Sequence, residues 1–314
     1  MSLVTAVSET GFAAPEPFRA VLPKETTIAT PPLPFELGCS SDAPVPAPFL
    51  DGRAADRLLT RAATAWWLVA LAGQAIFTAY IGLLYGVSAW RGHFERWNEV
   101  VPRGWVAGHG AGNATLAGHL FFAAIVFASG GLQLVDAVRR RAPRLHRWNG
   151  RFYVVAALVL ATSGVVLVAA GQSPGDPVQT AGTLLNVALI FAFAALAWRD
   201  ALARRFERHR RWALRLLLAV AGVWFFRIGL MGWIVLNRGP VGFDPHTFRG
   251  PALSLLAFGQ TLLPLAVLEA VFRARRKPGT APRLAMAAVL VLASLLAIVG
   301  IAAATMLMWW PHMK

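Results

Sequence analysis

Cysteine and charged residues are both scarce in this chain. A single cysteine, Cys39, stands among 314 residues, which excludes an internal disulfide framework and any metal site built from cysteines alone. Only 14% of the residues are charged, whereas a soluble domain of ordinary composition has about a quarter. The scarcity of charge therefore argues against a soluble globular domain.

Several sequence signatures of catalysis are missing as well. The chain has no glycine-rich phosphate-binding loop, no set of cysteines and histidines with zinc-ligand spacing, and no paired catalytic carboxylates. These absences exclude the nucleotide-binding and zinc-binding motifs that are recognisable from spacing. Any chemistry must come from isolated polar residues within or beside apolar segments.

Long apolar stretches dominate what is present. Hydrophobic residues make up 57% of the chain, and several uninterrupted apolar runs approach or exceed the roughly 20 residues that cross a bilayer. Segments of this kind are helices, because a helix satisfies its own backbone hydrogen bonds inside the lipid. The sequence therefore predicts an all-α polytopic membrane helix bundle.

About seven membrane-spanning helices are predicted, with bounds good to about two to four residues. They cover residues 66–89, 115–138, 152–171, 182–198, 212–236, 253–272 and 284–309. Twelve tryptophans against three tyrosines predict an aromatic belt at the membrane surfaces that is formed mostly by tryptophan.

Arginines concentrate before the first predicted helix and in the connections after the second, fourth and sixth. The net charge of +15 would also suit a nucleic-acid-binding protein, but the positive-inside rule explains this alternation more simply. The pattern predicts a multi-pass protein of the bacterial inner membrane that binds no nucleic acid. Its N-terminus is predicted in the cytoplasm and its C-terminus outside.

Prolines recur throughout residues 1–50, and no periodic apolar pattern survives their spacing. The composition predicts a disordered, proline-rich cytoplasmic tail, followed by a transmembrane domain over residues 51–314. The tail lacks a basic start followed by an apolar core, so it is not interpreted as a cleaved signal peptide. Residues 51–64 are expected to form a short amphipathic lead-in.

Two basic segments, residues 139–153 and 204–215, resemble one another. Both place a histidine, arginines and a tryptophan before the next apolar run: His146-Arg147-Trp148 with Arg151, and His209-Arg210 with Trp212 and Arg215. The first is interpreted as a short loop between two membrane helices. The shared spacing is consistent with a weak repeat of two-helix units. Such a repeat predicts a four-helix core, helices two to five, with both histidines at one membrane face.

An ordered set of polar and small residues carries a resemblance to a known family. The set comprises His119, Gln133, His146-Arg147, Gly150-Arg151, Tyr153, Gly164, Trp198, His209 to Trp212, and Arg227. Over residues 115–235 it resembles the bacterial "domain of unknown function 2306" family of predicted multi-pass membrane proteins. The family commonly has methionine where this chain has Ala213. The resemblance implies a multi-pass helical fold and supplies no established chemistry.

His146 and His209 are the candidate metal ligands. Imidazole is a usual axial ligand of haem iron, and two histidines at one face of a four-helix core would hold one haem b between the helices. The alternative is that both belong to interfacial anchors, in which arginine and tryptophan hold helix ends at the headgroups. The sequence leaves both interpretations open.

His119 and Arg227 are ionisable residues inside predicted helices, where such groups are functional candidates by default. Arg227 lies about 27 Å beyond His209 along the helix axis, near the depth of His119. Together they would bind a haem propionate, a quinone carbonyl or a lipid phosphate. The alternatives are a histidine bonded to a neighbouring helix and an arginine that snorkels to the membrane surface.

Gln133 lies about 21 Å from His119 on a similar face of the second predicted helix. Arg151 belongs to the first basic segment. The predicted cofactor-binding set is therefore His119, Gln133, His146, Arg151, His209 and Arg227, with His146 and His209 as the metal ligands.

In the sixth predicted helix, Gln260 and Pro264 indicate a kink. Glu269 is expected to pair with Arg273, one turn further on. No helix shows a clear central break in the sequence, so a transport function is less favoured.

Two functions of different classes follow from these residues. The first is a haem b-binding electron-transfer protein linked to a quinone or to a redox partner subunit, in which axial histidines and nearby arginine charge set the iron's potential. The second is a non-catalytic membrane module whose basic-aromatic segments bind anionic lipid or an acidic segment of a partner.

Overall fold

A computed structural model of the chain describes residues 51–101, 104–171 and 175–313. It is 84% helical, and the described residues contain no β-strand. The predicted proline-rich tail, residues 1–50, lies outside the described residues. The prediction of an all-α membrane helix bundle is confirmed.

The helices of the bundle are as follows. They are α1 (Gly52–Ile81), α2 (Gly110–Gln133), α3 (Pro143–Ala169), α4 (Pro177–Leu202), α5 (Phe206–Val220), α6 (Gly222–Leu236), α7 (Pro251–Arg276) and α8 (Ala281–Ala304). Both α1 and α8 continue into a π-helical turn, Gly82–Val87 and Thr305–Trp309 respectively. In the described residues six helices are long and apolar enough to cross a membrane, and the count is seven if the bent pair α5–α6 forms one span.

The connections define two ends of the bundle. The arginine face carries the start of α1 and the connections 134–142, 203–205 and 277–280. There Arg283 Nε lies 3.1 Å from Asp56 Oδ1. The opposite face carries residues 91–101, 104–109, 170–171, 175–176 and 237–250, and there Gln179 Nε2 donates to the Phe248 carbonyl at 3.2 Å. Which face meets the cytoplasm stays a prediction.

Helix starts follow local chemistry rather than hydropathy. Proline stands in the first turn of α3, α4, α7 and α8, where its missing N–H is not needed and its fixed φ suits a helix. Asp176 caps α4 by accepting a hydrogen bond from the Gln179 backbone N–H at 2.8 Å, and Asp51 caps α1. The segment 51–64 is therefore the first part of α1.

Both basic segments are helical, so the prediction of a loop at residues 139–153 is wrong. A short helix covers Asp136–Arg141, and α3 starts at Pro143, about two turns before the apolar run. In the second segment α5 starts at Phe206. Hydropathy marks only the apolar part of a helix, whereas these helices begin before their apolar part. His146 and His209 therefore lie on first turns of helices.

The fifth span is broken, which overturns the expectation that no helix has a central break. The axes of α5 and α6 differ by 49°, and Ala221 separates them. The interruption needs no proline, because a neighbouring side chain supplies the missing hydrogen bond: Asn186 Nδ2 donates to the Ala219 carbonyl at 2.9 Å and lies 2.6 Å from Thr261 Oγ1. Buried carbonyls freed by a break in a membrane helix need such partners.

Close helix crossings depend on small residues. Helices α2 to α5 pack in sequence order, α1 packs against α2 and α8, and α8 packs against α6 and α7. A Cβ at Gly300 of α8 would meet the Ile228 carbonyl at 2.5 Å, so the backbones of α8 and α6 are in contact. This is the packing that small residues permit in membranes.

Candidate functional site

The predicted site residues fall into two regions at the two ends of the bundle. The histidine site, at the arginine face, contains His146 and His209. The Arg227 cluster, towards the opposite face, contains His119, Arg227 and the aromatic residues Tyr80, Tyr85 and Trp309. Gln133 and Arg151 belong to the arginine face.

His209 is fixed by the preceding helix. Its Nδ1 lies 2.9 Å from the Ala197 carbonyl of α4. A carbonyl only accepts, so Nδ1 carries the proton and donates, which leaves Nε2 with its lone pair. Histidine ligands of metals are held in this way, since a second hydrogen bond fixes both tautomer and ring orientation.

His146 stands on the first turn of α3, half-buried, and interacts electrostatically with His209. Its Nδ1 is buried and has no hydrogen-bond partner in the described part of the chain. Arg139 and Arg147 add positive charge close to the same ring. The structure therefore brings the two predicted metal ligands into one neighbourhood.

Gln133 and Arg151 do not point at the two rings. Gln133 Nε2 donates to the backbone carbonyl of His146 at 3.4 Å, so it ties the end of α2 to the first turn of α3. The Arg151 guanidinium lies 5.2 Å from the ring centre of Trp148, and Trp148 is 68% exposed. Arg151 and Trp148 thus form part of the outer surface.

Asp200 is a residue of the histidine site that the sequence analysis missed. Its side chain is fully buried, and three arginines approach it: Arg199 at 3.2 Å, Arg208 at 3.4 Å and Arg205 at 3.9 Å. The carboxylate holds the turn between α4 and α5, and so helps to set where α5, the helix that carries His209, begins. The available signal was a single acidic residue inside an arginine-rich segment.

The predicted ion pair between Glu269 and Arg273 is wrong, because Glu269 pairs with Arg215. Its Oε1 accepts from Arg215 Nε at 2.7 Å, so the ion pair joins α7 to α5 instead of linking Glu269 to Arg273 within α7. Arg215 also lies 4.5 Å from the ring centre of Trp212. This ion pair depends on how α5 packs against α7, which cannot be predicted from residue spacing along one helix.

At the other end of the bundle, the structure brings His119 and Arg227 together. Arg227 interacts electrostatically with His119, Tyr80 and Tyr85, and its Cζ lies 5.3 Å from the ring centre of Phe77. His119 Nδ1 is 2.9 Å from the Ser163 hydroxyl, which itself donates to the Leu160 carbonyl at 3.0 Å. The hydroxyl proton is thereby committed, so His119 donates from Nδ1 and keeps Nε2 as an acceptor.

The tyrosines of this cluster are buried within the protein. Tyr80 is 1% exposed and Tyr85 is 3% exposed, and Tyr153, the third tyrosine of the chain, is also buried. Trp309 Nε1 is buried without a hydrogen-bond partner in the described residues, and the buried hydroxyls of Tyr80 and Tyr85 have no partner there except each other. The ring centres of Tyr80 and Tyr85 are 6.0 Å apart, and those of Tyr80 and Trp309 are 6.1 Å apart.

The two π-helical turns in the described part of the chain each contribute an aromatic residue to this cluster. Tyr85 lies in the turn Gly82–Val87, and Trp309 closes the turn Thr305–Trp309. Trp97 stabilises the first turn, because its Nε1 lies 3.2 Å from the Tyr85 carbonyl and 3.0 Å from Ser88 Oγ. Single π-helical turns inside α-helices occur frequently at functional sites.

Comparison with known proteins finds one family model that matches the central helices. Residues 116–245 match the model of the family described as "Predicted membrane protein (DUF2306)". The resemblance predicted from residues 115–235 is therefore confirmed, and the match covers most of α2 and all of α3 to α6. No curated protein matches the chain, and no solved structure does.

Proposed function

We propose that this membrane protein transfers electrons and binds one haem b, with His146 and His209 as axial ligands. The observation that most supports this proposal is the orientation of His209. Its Nδ1 hydrogen bond to the Ala197 carbonyl leaves Nε2 available as a ligand at the arginine face. His146 is close enough to interact with it and has a buried ring nitrogen without a partner. In the described residues no group of three or more histidine, cysteine, aspartate or glutamate side chains is placed to hold a metal. A porphyrin needs only two protein ligands.

Haem would supply one-electron chemistry, and the protein would supply its environment. Arg139 and Arg147 add positive potential near His146. Their charge would favour the reduced state of the iron and would bind the haem propionates. Gln133 and Asp200 would keep the starts of α3 and α5 in register, and thereby the two imidazoles. The electron partner in this proposal is a membrane quinone or a redox partner subunit. The proposal places the protein in the bacterial inner membrane.

An absorption spectrum tests this proposal. Full-length protein purified in detergent from haem-replete cells is expected to show a Soret band, with sharp bands after reduction by dithionite. His146→Ala and His209→Ala are each expected to lose these bands while the protein remains in the membrane fraction. His93→Ala is the matched control, since His93 is exposed at the opposite face and lies 3.1 Å from Glu95. A colourless wild-type protein would refute the haem assignment.

One observation favours the second candidate function, binding of anionic lipid or an acidic partner segment. Trp148 is exposed with Arg151 stacked on it, and the neighbouring arginines of the same surface are also exposed. Each such cation near an anionic surface contributes about 1 kcal/mol. Under this function, replacing Arg144 and Arg147 would weaken binding to anionic vesicles stepwise, and His209→Ala would leave it unchanged.

A further inference from the structure

The charge of Arg227 is the feature of the bundle that the haem proposal leaves unexplained. In the described residues no carboxylate forms an ion pair with it, and its contacts are the face of Phe77 and the dipoles of Tyr80, Tyr85 and His119. Glu99, which interacts with Tyr80, is itself paired with Arg96 at 3.1 Å. An arginine inside a membrane bundle is costly unless an acceptor or water neutralises it.

Uncommitted hydrogen-bond donors surround this charge. The guanidinium makes no hydrogen bond within the described residues, and Trp309 Nε1 is buried there without a partner. The buried hydroxyls of Tyr80 and Tyr85 interact with each other and have no other hydrogen-bond partner in the described residues. Tyr80 and Trp309 are at most 1% exposed. Each buried polar group without a hydrogen bond destabilises the protein, and a ligand that supplies the missing hydrogen bond would offset this cost. A positive site rich in donors is complementary to a ligand oxygen that carries negative charge.

We propose that the Arg227 cluster binds the anionic oxygen group, a carboxylate or a phosphate, of a membrane amphiphile. Arg227 pairs with the oxyanion, and Tyr80, Tyr85 and Trp309 donate to its oxygens. Four parts of the fold contribute: α1 with its π-helical turn, α2 through His119, α6 through Arg227, and the π-helical turn after α8. The site is at the far end of the bundle from His146 and His209, so it does not depend on haem.

Geometry distinguishes this site from an arginine that merely reaches the membrane surface. The guanidinium lies over Phe77, which is 3% exposed, and not over an exposed ring. Arg238 is the contrasting case, because it is exposed at the end of α6. Snorkelling would place the Arg227 charge among water and headgroups, whereas here it lies among buried aromatic side chains.

Native mass spectrometry of the full-length protein tests the proposal. The protein is released from uncharged detergent micelles that contain a phosphatidylglycerol, oleate, or a diacylglycerol with the same acyl chains. One retained phosphatidylglycerol identifies a phosphate ligand, and one retained oleate identifies a carboxylate ligand. The diacylglycerol has no anionic oxygen and is not expected to be retained. Retention of neither anionic amphiphile would overturn the proposal.

Variants locate the binding. Arg227→Gln is expected to weaken retention at least about tenfold, because it removes the only permanent charge of the site. Arg238→Gln is the matched control and should bind as wild type does. Tyr80→Phe with Tyr85→Phe keeps the packing, removes two donors, and should weaken retention several-fold if Arg227→Gln does not fold. Equal retention by this double variant and the wild type would contradict the assignment.

Discussion

The histidine site and the Arg227 cluster differ in how their polar groups are satisfied. At the arginine face the charged side chains are neutralised, since Asp200 meets three arginines and Glu269 meets Arg215, although His146 Nδ1 is buried without a partner in the described residues. In the Arg227 cluster a half-buried cation has no carboxylate partner in the described residues, Trp309 Nε1 has no acceptor there, and the Tyr80 and Tyr85 hydroxyls interact only with each other. Polar residues at a membrane surface are expected on topology alone, whereas unsatisfied donors deep in a bundle are not. The cluster is therefore the stronger indication of a missing ligand.

The largest effect is expected for packing beneath the Arg227 cluster. Gly300→Ala would push a methyl group into the Ile228 carbonyl, 2.5 Å from the new Cβ, and separate α8 from α6. We expect a loss of about 1–3 kcal/mol of unfolding free energy, measured by denaturation in detergent. Gly259→Ala is the matched control, because nothing lies within 4 Å of its Cβ. Equal stability of the two variants would show that α6 and α8 are not in backbone contact.

A smaller loss is expected at the arginine face. Asp200→Asn removes a fully buried carboxylate from between three arginines that are each more than half exposed. Solvent screens those arginines, so we expect about 1–2 kcal/mol, below the cost of breaking a fully buried pair. Asp136→Asn removes an exposed carboxylate that lies 2.7 Å from Arg139, and should cost less than about 0.5 kcal/mol. A loss in Asp136→Asn as large as that in Asp200→Asn would contradict the role of burial.

The smallest effect is a pH dependence at the opposite face. The backbone N–H of His246, followed by the Thr247 hydroxyl, lowers the pKa of Asp244. A folded-state pKa below the unfolded value means that this stabilisation is present above about pH 4 and is lost as pH falls through the folded pKa. Melting temperatures between about pH 6 and pH 3 should therefore fall slightly less steeply for Asp244→Asn than for the wild type. If the melting temperatures of the two proteins changed equally with pH, Asp244 would not contribute to the pH dependence of stability.

The spans could be predicted because their cause is local. A run of apolar residues reports burial in lipid, and the predicted spans lie within helices of the structure except at residues 134–135, 170–171 and 221. The errors fall where the cause is a contact between distant residues. Asn186, on another helix, stabilises the break at Ala221 through its hydrogen bond to the Ala219 carbonyl. No sequence pattern within residues 206–236 indicates this contact.

The same reasoning separates the site residues that were recognised from those that were missed. His119 and Arg227 stand out because an ionisable residue in an apolar run is conspicuous. Tyr80 and Tyr85 are unremarkable in sequence, since tyrosine suits a membrane interface as well as a core. Their role depends on the π-helical turn and on Trp309, more than two hundred residues away along the chain.

The interruption at Ala221 has a mechanical consequence. It divides one span into two short rods: the first carries His209 and is clamped to α4 and α7, and the second carries Arg227 and is clamped to α8. A straight helix would transmit any twist or axial shift from one end to the other. Two rods joined at a single residue absorb such a displacement at the joint, so the alignment of one site is insulated from changes at the other.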